Sequence, residues 1–452
     1  MVILRQIPQN YLFSKIDLKK LIVPLVIEQF LTIAVGLIDS MMVASVGESA
    51  VSAISLVDTV NILIINIFTA LATGGAVVAG QYIGMKQEHN SCKAAANQTL
   101  IFTTLIALFV MIIVYVLKNF ILHTVFGQIE DDVANYANTY LLIVSASIPF
   151  IGMYNAGAAI FRAMGNSKVS MNTSLIMNLV NIVGNAILIY GFHMEIAGAA
   201  IPTLISRIVA AVVIVVRLGN QDLQIHIDRP FKLKFDWRMI KKILRIGIPN
   251  SLENSMFQLG KILVLTIVTA FGTRAITANA VSNTIAMFQI LPGMAICQAI
   301  LTVSSQCVGA NDYKQLDFYI KRLMKTIYVF VVAINVVVVA ILPLILKAYN
   351  LSSETTDIAK QIIWYHAICT CTIWPFSFAL PNSLRAANDV MFTMIVAILS
   401  MWIFRIGASV VIAKWLGLGV LGVWIAMTID WFVRAIIFVI RYKYKIKSKC
   451  KI

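Results

Sequence analysis

Long apolar stretches dominate the chain and recur at nearly regular intervals. An α-helix rises 1.5 Å per residue, so about 20 apolar residues cross the ~30 Å hydrocarbon core of a bilayer. Twelve stretches of sufficient length occur, over residues 21–43, 51–80, 94–117, 133–160, 170–190, 196–218, 243–270, 276–305, 321–346, 358–384, 391–414 and 417–441. The pattern predicts an all-α integral membrane protein with twelve transmembrane helices.

The longest polar interruption falls midway along the chain, at residues 219–242. We interpret it as a cytoplasmic linker that is partly amphipathic. It divides the chain into a predicted N-lobe (1–218, the first six helices) and a predicted C-lobe (243–441, the last six). Residues 442–452 form a basic tail.

Composition excludes a soluble protein. The 452 residues are 60% hydrophobic and 12% charged, against about 25% charged residues in an ordinary soluble domain. So few charged residues cannot cover the polar surfaces of two or three soluble domains.

The net charge of +16 follows the membrane topology. Of the 36 lysines and arginines, 27 lie at the termini and in alternate connections, and five lie in the opposite connections. Under the positive-inside rule this places both termini in the cytoplasm and the protein in the inner (plasma) membrane. We therefore expect contact with membrane lipid, no nucleic-acid partner, and a monomer.

The two halves of the chain repeat one another. A slide of 225 residues brings Pro24-x-x-x-Glu28 onto Pro249-x-x-x-Glu253, and a slide of 223 brings the segment 161–165 onto 384–388. Because six helices repeat as six, both halves keep the same orientation and are related by a pseudo-twofold axis along the membrane normal. Two such lobes would enclose a cleft open alternately to each side, as in a transporter.

At these repeated motifs the sequence resembles the multidrug and toxic-compound extrusion (MATE) family, in a bacterial form with DinF-like and NorM-like features. The similar segments, in order through almost the whole chain, are Pro24…Asp39-Ser-Met-Met-Val-Ala-Ser-Val-Gly47, Gly80-Gln-Tyr-Ile-Gly84, Ile246-Gly-Ile-Pro249…Glu253, Leu291-Pro-Gly293, Ser305-Gln-Cys-Val-Gly-Ala-Asn-Asp312, Leu384-Arg-Ala-Ala-Asn-Asp389 and Gly419-Val-Leu-Gly-Val-Trp424. The resemblance implies the fold of that family and the export of drugs by secondary active transport.

Acids inside the spans are candidates for function, because a carboxylate in hydrocarbon costs a few kcal/mol. Asp39, toward the outer end of the first span, is the sharpest candidate. The first half also supplies amides and a hydroxyl: Asn155, Asn178, Asn181, Asn185 and Thr203. Oxygen ligands of this kind hold Na⁺, and a buried carboxylate alternatively takes up a proton. The competing interpretation is that these amides hold helices together by hydrogen bonds.

The resemblance implies the same site. In the DinF-like branch a first-lobe cation site uses residues that match Asp39, Asn155, Asn181 and Thr203. That branch has a second aspartate where this chain has Asn185. With one carboxylate instead of two, Na⁺ at Asp39 and Asn181 should bind more weakly, and coupling to H⁺ gains weight.

Glu253, in the seventh span, is the candidate in the second half. It resembles the coupling glutamate of the NorM-like branch, yet the tenth span lacks the aspartate that accompanies it there. Which half couples, and whether to H⁺ or Na⁺, stays open.

The expected substrate is a small amphipathic organic cation, since carboxylates attract positive charge and Met and aromatic side chains form an adaptable wall. Met256, Phe257, Met287 and Trp374 are candidate wall residues, with plain helix packing as the alternative.

We therefore predict an antiporter that exports organic cations by alternating access, driven by inward H⁺ or Na⁺ and with no cofactor. A flippase for lipid-linked oligosaccharides is the alternative; its phosphate would need the bases deep in the spans, which are Arg207, Lys261, Arg405 and Arg434. We predict no enzyme activity, because the five histidines are scattered and no phosphate-binding loop of the nucleotide-binding type is present.

Overall fold

The computed structural model describes residue 8 and residues 11–86, 89–126, 130–227 and 235–451. Within these ranges the chain is almost entirely helical and contains no β-strand. In a bilayer each helix satisfies its own backbone hydrogen bonds, which is why apolar sequence of this kind folds into helices. The all-α class predicted from the sequence is confirmed.

Six helices come before the polar segment in the middle of the chain. They run over Lys15–Ala44 (α1), Glu48–Gly84 (α2), His89–Val116 (α3), Asp131–Ala146 continued by Ile148–Ala163 (α4), Ser167–Asn185 (α5) and Ala197–Leu218 (α6). A helical turn at Lys118–Phe120 and a π-helical segment at Ile121–Val125 follow α3, and a π-helical segment at Ala186–Gly191 extends α5. The predicted linker 219–242 lies partly outside the described residues.

Six further helices follow. They run over Trp237–Thr269 (α7), Thr273–Gly309 (α8), Tyr313–Ala348 (α9), Ser353–Thr372 continued by Pro381–Ala386 (α10), Val390–Ser400 (α11) and Gly419–Tyr442 (α12). π-Helical segments lie within α10 at Pro375–Ala379, after α11 at Met401–Gly407 and Val410–Trp415, and after α12 at Lys443–Lys447. A short 3₁₀ turn, Lys449–Lys451, is the last element of the described chain.

These helices account for twelve membrane crossings. In the described ranges nine helices are long and apolar enough to span a bilayer, and the two bent helices bring the number to eleven. The twelfth is α7, whose 33 residues are long enough to cross. It falls below the hydropathy of the others because it carries polar side chains such as Asn254, Gln258 and Lys261. The twelve-helix prediction is confirmed.

Both bends coincide with proline. The two parts of α4 meet at 45° around Ser147, and Pro149 stands in the first turn of the second part. The two parts of α10 meet at 59°, and Pro375 begins the π-helical segment between them. Proline has no N–H to donate and its ring displaces the preceding turn, so a helix bends or restarts there.

The chain divides into two compact units, and the division falls inside two helices. The first unit is Val23–Ser251, and the second is Met1–Ile22 together with Leu252–Ile452. The boundaries therefore lie within α1 and α7, whereas the lobes predicted from the sequence, 1–218 and 243–441, divide between helices.

Contacts of the segment before Ile22 explain why it belongs to the second unit. The backbone N–H of Phe13 donates to Tyr319 Oη and its carbonyl accepts from the same hydroxyl, both at 2.8 Å. The N–H of Leu12 donates to Gln315 Oε1 at 2.9 Å. Tyr319 is fully buried, so this anchoring is part of the core of the second unit.

The beginning of α7 is bound to the first unit by close packing against α2. A Cβ atom at Gly74 would lie 2.6 Å from the carbonyl oxygen of Ile243 and 2.9 Å from the backbone nitrogen of Gly247. Only glycine lets the two backbones approach this closely, as small residues do at helix contacts in membranes.

Gly74→Ala should destabilise the protein, because the added methyl meets backbone that cannot rotate away. We expect a loss of about 1–3 kcal/mol, as for overpacking in other cores, measured as a lower Tm of the detergent-solubilised protein. Gly36→Ala is the control, since nothing lies within 4 Å of a Cβ placed there. Equal Tm values for the two variants would contradict the close packing.

Candidate cation-binding site

Asp39, on α1, is held in the first unit by side-chain amides of α5. Asn185 Nδ2 donates to Asp39 Oδ1 at 3.1 Å. The amide of Asn181 lies 3.0 Å from both carboxylate oxygens and 3.1 Å from Thr203 Oγ1 on α6. No basic nitrogen of the described residues lies within the 4.0 Å of an ion pair from Asp39. The carboxylate is therefore bound by neutral donors alone.

The neighbours of Asn181 fix the orientation of its amide. With its nitrogen toward Asp39, Asn181 donates to the carboxylate and its oxygen accepts from Thr203. Asp39 therefore accepts hydrogen bonds from two amides of α5, Asn181 and Asn185, as a carboxylate does.

Local sequence brings these side chains together. Asn178, Asn181 and Asn185 are spaced by three and four residues, so they lie along one face of α5. A Cβ atom at Gly184 would lie 2.7 Å from the ring of Pro202, so glycine permits α5 and α6 to approach at the level of Thr203. Asn181 and Asn185 are buried, with 8% and 2% of their surface exposed.

Asn155 does not join this cluster. It lies on α4, half-buried, and its Nδ2 has no hydrogen-bond partner among the described residues. The structure thus places four of the six candidate residues of the first half in contact (Asp39, Asn181, Asn185 and Thr203), and their coupling role remains a prediction.

Three neighbours were not predicted as part of the site. Asp58, Arg207 and Tyr140 interact electrostatically with one another, and both Asp58 and Tyr140 also interact with Asp39. Arg207 Nη1 donates to Ser147 Oγ at 2.7 Å, at the bend of α4. The sequence does show an arginine, Arg207, within an apolar span. It does not show the partner of that arginine, Ser147, which lies 60 residues away.

Glu253, the candidate of the second half, is paired with an arginine. Its Oε1 accepts from Arg385 Nη2 at 2.6 Å, and the two side chains are 9% and 14% exposed. Within the helix bundle each charge of the pair is balanced by the other. The geometry favours a structural ion pair over a group that loads and releases a cation.

The first unit contains the equivalent pair. Arg162 Nη1 lies 3.5 Å from Glu28 Oε1, and Ser170 Oγ donates to Glu28 Oε2 at 2.6 Å. Glu28 and Arg162 are the repeat equivalents of Glu253 and Arg385. The duplication therefore includes a tertiary contact as well as the motifs that form it.

The candidate wall residues differ in exposure. Met287 is 50% exposed, Phe257 and Met256 are half-buried, and Trp374 is 1% exposed. Trp374 stacks on Phe378, with ring centroids 5.3 Å apart, and fills the space that a side chain at Gly293 would occupy. Trp374 is therefore buried in this structure, and its role in binding substrate stays a prediction.

A model of the family described as MatE matches the chain twice, at residues 24–187 and 249–411. The matches cover more than half of the chain. This protein belongs to the MatE family. The second match begins 225 residues after the first, which confirms the internal repeat predicted from the sequence. The MATE family is a family of membrane transporters.

Relatives over nearly the full length include two proteins of Bacillus subtilis. The uncharacterized transporter YisQ is 26% identical over 431 residues, covering 94% of this chain and 93% of its own. The probable multidrug resistance protein YoeA is 26% identical over 441 residues, covering 95% and 93%. The multidrug export protein MepA of Staphylococcus aureus is 24% identical over 338 residues, covering 73% of each chain.

Solved structures share the fold. An outward-facing MATE transporter of the MOP superfamily aligns with a TM-score of 0.89 at 20% identity, covering 96% of both chains. A MATE in complex with MaL6 aligns with a TM-score of 0.88 at 20% identity, covering 96% of this chain and 97% of that one.

Glu253→Gln should destabilise the fold, because Arg385 would lose its buried counter-charge. Breaking one partner of a buried pair costs about 3–5 kcal/mol, against about 0–1 kcal/mol for an exposed pair. Glu354→Gln is the control, since Glu354 pairs with Arg274 at side-chain exposures of 66% and 67%. The Tm in detergent should fall clearly only for Glu253→Gln, and similar small changes in both variants would argue against a structural pair.

Proposed function

We propose that this MATE transporter is a secondary active antiporter that exports small organic molecules from the cytoplasm and takes up protons through Asp39. The observation that carries the proposal is the environment of that carboxylate. Asp39 is half-buried, hydrogen-bonded to amides and close enough to Asp58 for the two negative charges to repel. Such a group binds a proton with little structural cost.

Three other acids of the spans are paired with arginine. Glu28, Glu253 and Asp430 each face arginine at 3.5 Å, 2.6 Å and 3.1 Å respectively. Protonation of any of them would leave a buried guanidinium without its counter-charge. Asp39 has no such partner among the described residues, so its proton can come and go.

The hydrogen bonds of Asp39 give the proton a structural consequence. Asp39 accepts from the amides of Asn181 and Asn185, and the oxygen of Asn181 accepts from Thr203 on α6. A protonated carboxyl group accepts fewer hydrogen bonds and donates one, so the bonds between α1, α5 and α6 change with the charge of Asp39. A change of this kind is what biases a two-state transporter toward one conformation.

The ligand set favours H⁺ over Na⁺ as the coupling ion. Asp39 is the single carboxylate among the four clustered side chains, since Asn185 stands where the DinF-like branch has an aspartate. In the described residues no group of three or more His, Cys, Asp or Glu side chains is arranged to hold a metal ion. A proton needs a single carboxylate oxygen, whereas a metal ion needs several oxygen ligands around it.

Drug export is supported by the names of the relatives, which include a probable multidrug resistance protein and a multidrug export protein. We place the protein in the inner membrane with both termini in the cytoplasm, working by alternating access of its two repeats. The flippase alternative is less favoured, because Arg207, Arg405 and Arg434 are each bound to other side chains or backbone of the protein.

Asp39→Asn should uncouple transport from the proton gradient. In proteoliposomes that expel a fluorescent organic substrate, we expect pH-driven efflux to fall roughly tenfold or more, in the range of coupling between sites. Asp132→Asn, which changes an exposed acid at the start of α4, should transport as the wild type does. Undiminished pH-driven efflux by Asp39→Asn would refute the assignment.

Asn185→Asp should increase the response to sodium. The second carboxylate would face Asp39 at the 3.1 Å now spanned by the amide, and two negative charges with oxygen ligands favour Na⁺. Efflux driven by a Na⁺ gradient should appear or rise severalfold in this variant, while Asn178→Asp, about two turns away on the same face, should change it little. If the wild type already runs on Na⁺ alone, H⁺ is the wrong coupling ion.

A further inference from the structure

The two units carry opposite charge inside their spans. Deep in the spans of the first unit stand three acids and one base: Glu28, Asp39 and Asp58, with Arg207. Deep in the spans of the second unit stand two acids and three bases: Glu253 and Asp430, with Lys261, Arg405 and Arg434. An excess of basic over acidic side chains inside a membrane is energetically costly, so it indicates a function.

One carboxylate serves two of these arginines. Arg405 Nε donates to Asp430 Oδ2 at 3.1 Å, and Arg434 Nη1 lies 3.8 Å from the same oxygen. Ser400 also donates to Asp430. All three ionised side chains are almost fully buried, with exposures from 0% to 4%. This buried group therefore keeps a net positive charge.

Lys261 adds a further cation with no acid of its own. In the described part of the chain no carboxylate oxygen lies within 4.0 Å of its Nζ atom. The ring of Phe257 has Lys261 Nζ 5.1 Å and Arg405 Cζ 5.0 Å from its centroid. Two like charges at one aromatic ring repel each other, so an anion at this place would be stabilised.

Lys261 lies on the side of α7 that carries polar residues. Its side chain is exposed, and Asn254 and Gln258 lie seven and three residues before it on the same helix face. Exposed apolar residues of the same helix include Leu252, Leu259, Ile262 and Leu265. Because polar side chains in a bilayer turn away from lipid, we expect Lys261 to face water, with the ring of Phe257 next to it.

We propose that Lys261 and Phe257 form a recognition site for aromatic organic anions, in which the carboxylate of the ligand pairs with Lys261 and its ring packs on Phe257 and Phe378. The two rings lie 6.4 Å apart at 83°, and Phe378 is backed by Trp374 and Trp431. Arg405 and Arg434 supply the positive field behind these rings. This proposal rests on the proposed function, because it takes the ligand to be a transported substrate. The substrate then carries an acidic group, in place of the amphipathic organic cation expected from the sequence.

Equilibrium binding to the full-length protein in detergent tests the site without any ion gradient. The probes are 1-pyrenebutyrate and its matched cation, 1-pyrenebutyl-trimethylammonium, followed by energy transfer from tryptophan to pyrene. For the wild type we expect the carboxylate to bind more tightly than the cation. Lys261→Gln should raise the Kd for the carboxylate about tenfold, the size expected for a charge-assisted hydrogen bond, and leave the Kd for the cation unchanged or lower.

Two variants separate recognition from misfolding. Lys261→Arg keeps the charge and should stay within about threefold of wild-type affinity, because a guanidinium also pairs with carboxylate. Lys360→Gln, which removes an exposed lysine of α10, should not affect either probe. The proposal is overturned if Lys261→Gln binds the carboxylate as the wild type does, or if it weakens both probes equally. Such a result leaves proton-driven export through Asp39 standing, and loss of coupling in Asp39→Asn leaves the binding result intact.

Discussion

The cost of placing charge in an apolar helix bundle organises this structure. With 12% charged residues in the chain, almost every ionised side chain inside a span is matched to a partner of opposite charge or to neutral donors. The buried group of Asp430, Arg405 and Arg434 and the pair of Glu253 and Arg385 both follow this constraint. Removing a single partner leaves a charge in a low-dielectric environment, which costs more than the pair itself contributes. The matched groups therefore fix how their helices sit within each unit.

The ion pair that occurs in both repeats indicates that this constraint acted before the six-helix unit was duplicated. Glu28 and Arg162 occupy one repeat, Glu253 and Arg385 the other, and each glutamate lies four residues after a proline. A single ancestral six-helix unit that already held the contact explains both copies. Each copy joins the first helix of its repeat to the end of the fourth. Since the same residues recur while the overall sequences of the halves have diverged, the ion pair is a structural element of the repeat. Asp39 has no acidic counterpart in the other half, where Val264 stands at the equivalent position.

Hydrophobic pattern was enough to predict the helices, because an apolar run of about 20 residues has one stable arrangement in a bilayer. It was also enough to select Asp39 and the amides of α5, since their spacing places them on one helix face. It did not give the partner of Glu253, which lies 132 residues away and depends on helix rotation and packing. Nor did it indicate that the unit boundaries fall inside α1 and α7, because that follows from close contacts at Gly74 and Tyr319 that leave no periodic signal.

The ionised side chains without a partner of opposite charge are the candidates for function. Asp39 has amides but no cation, and Lys261 has an aromatic ring but no carboxylate. Asp39 is half-buried and Lys261 is exposed, so neither is enclosed by the protein. An unmatched carboxylate suits a small cation that arrives and leaves, and an unmatched ammonium beside aromatic rings suits an organic anion. Because the two lie in different units, the energy released when either is neutralised acts on a different part of the molecule. A transporter that couples an ion to a substrate needs that separation, since the two bound states must be able to favour different conformations.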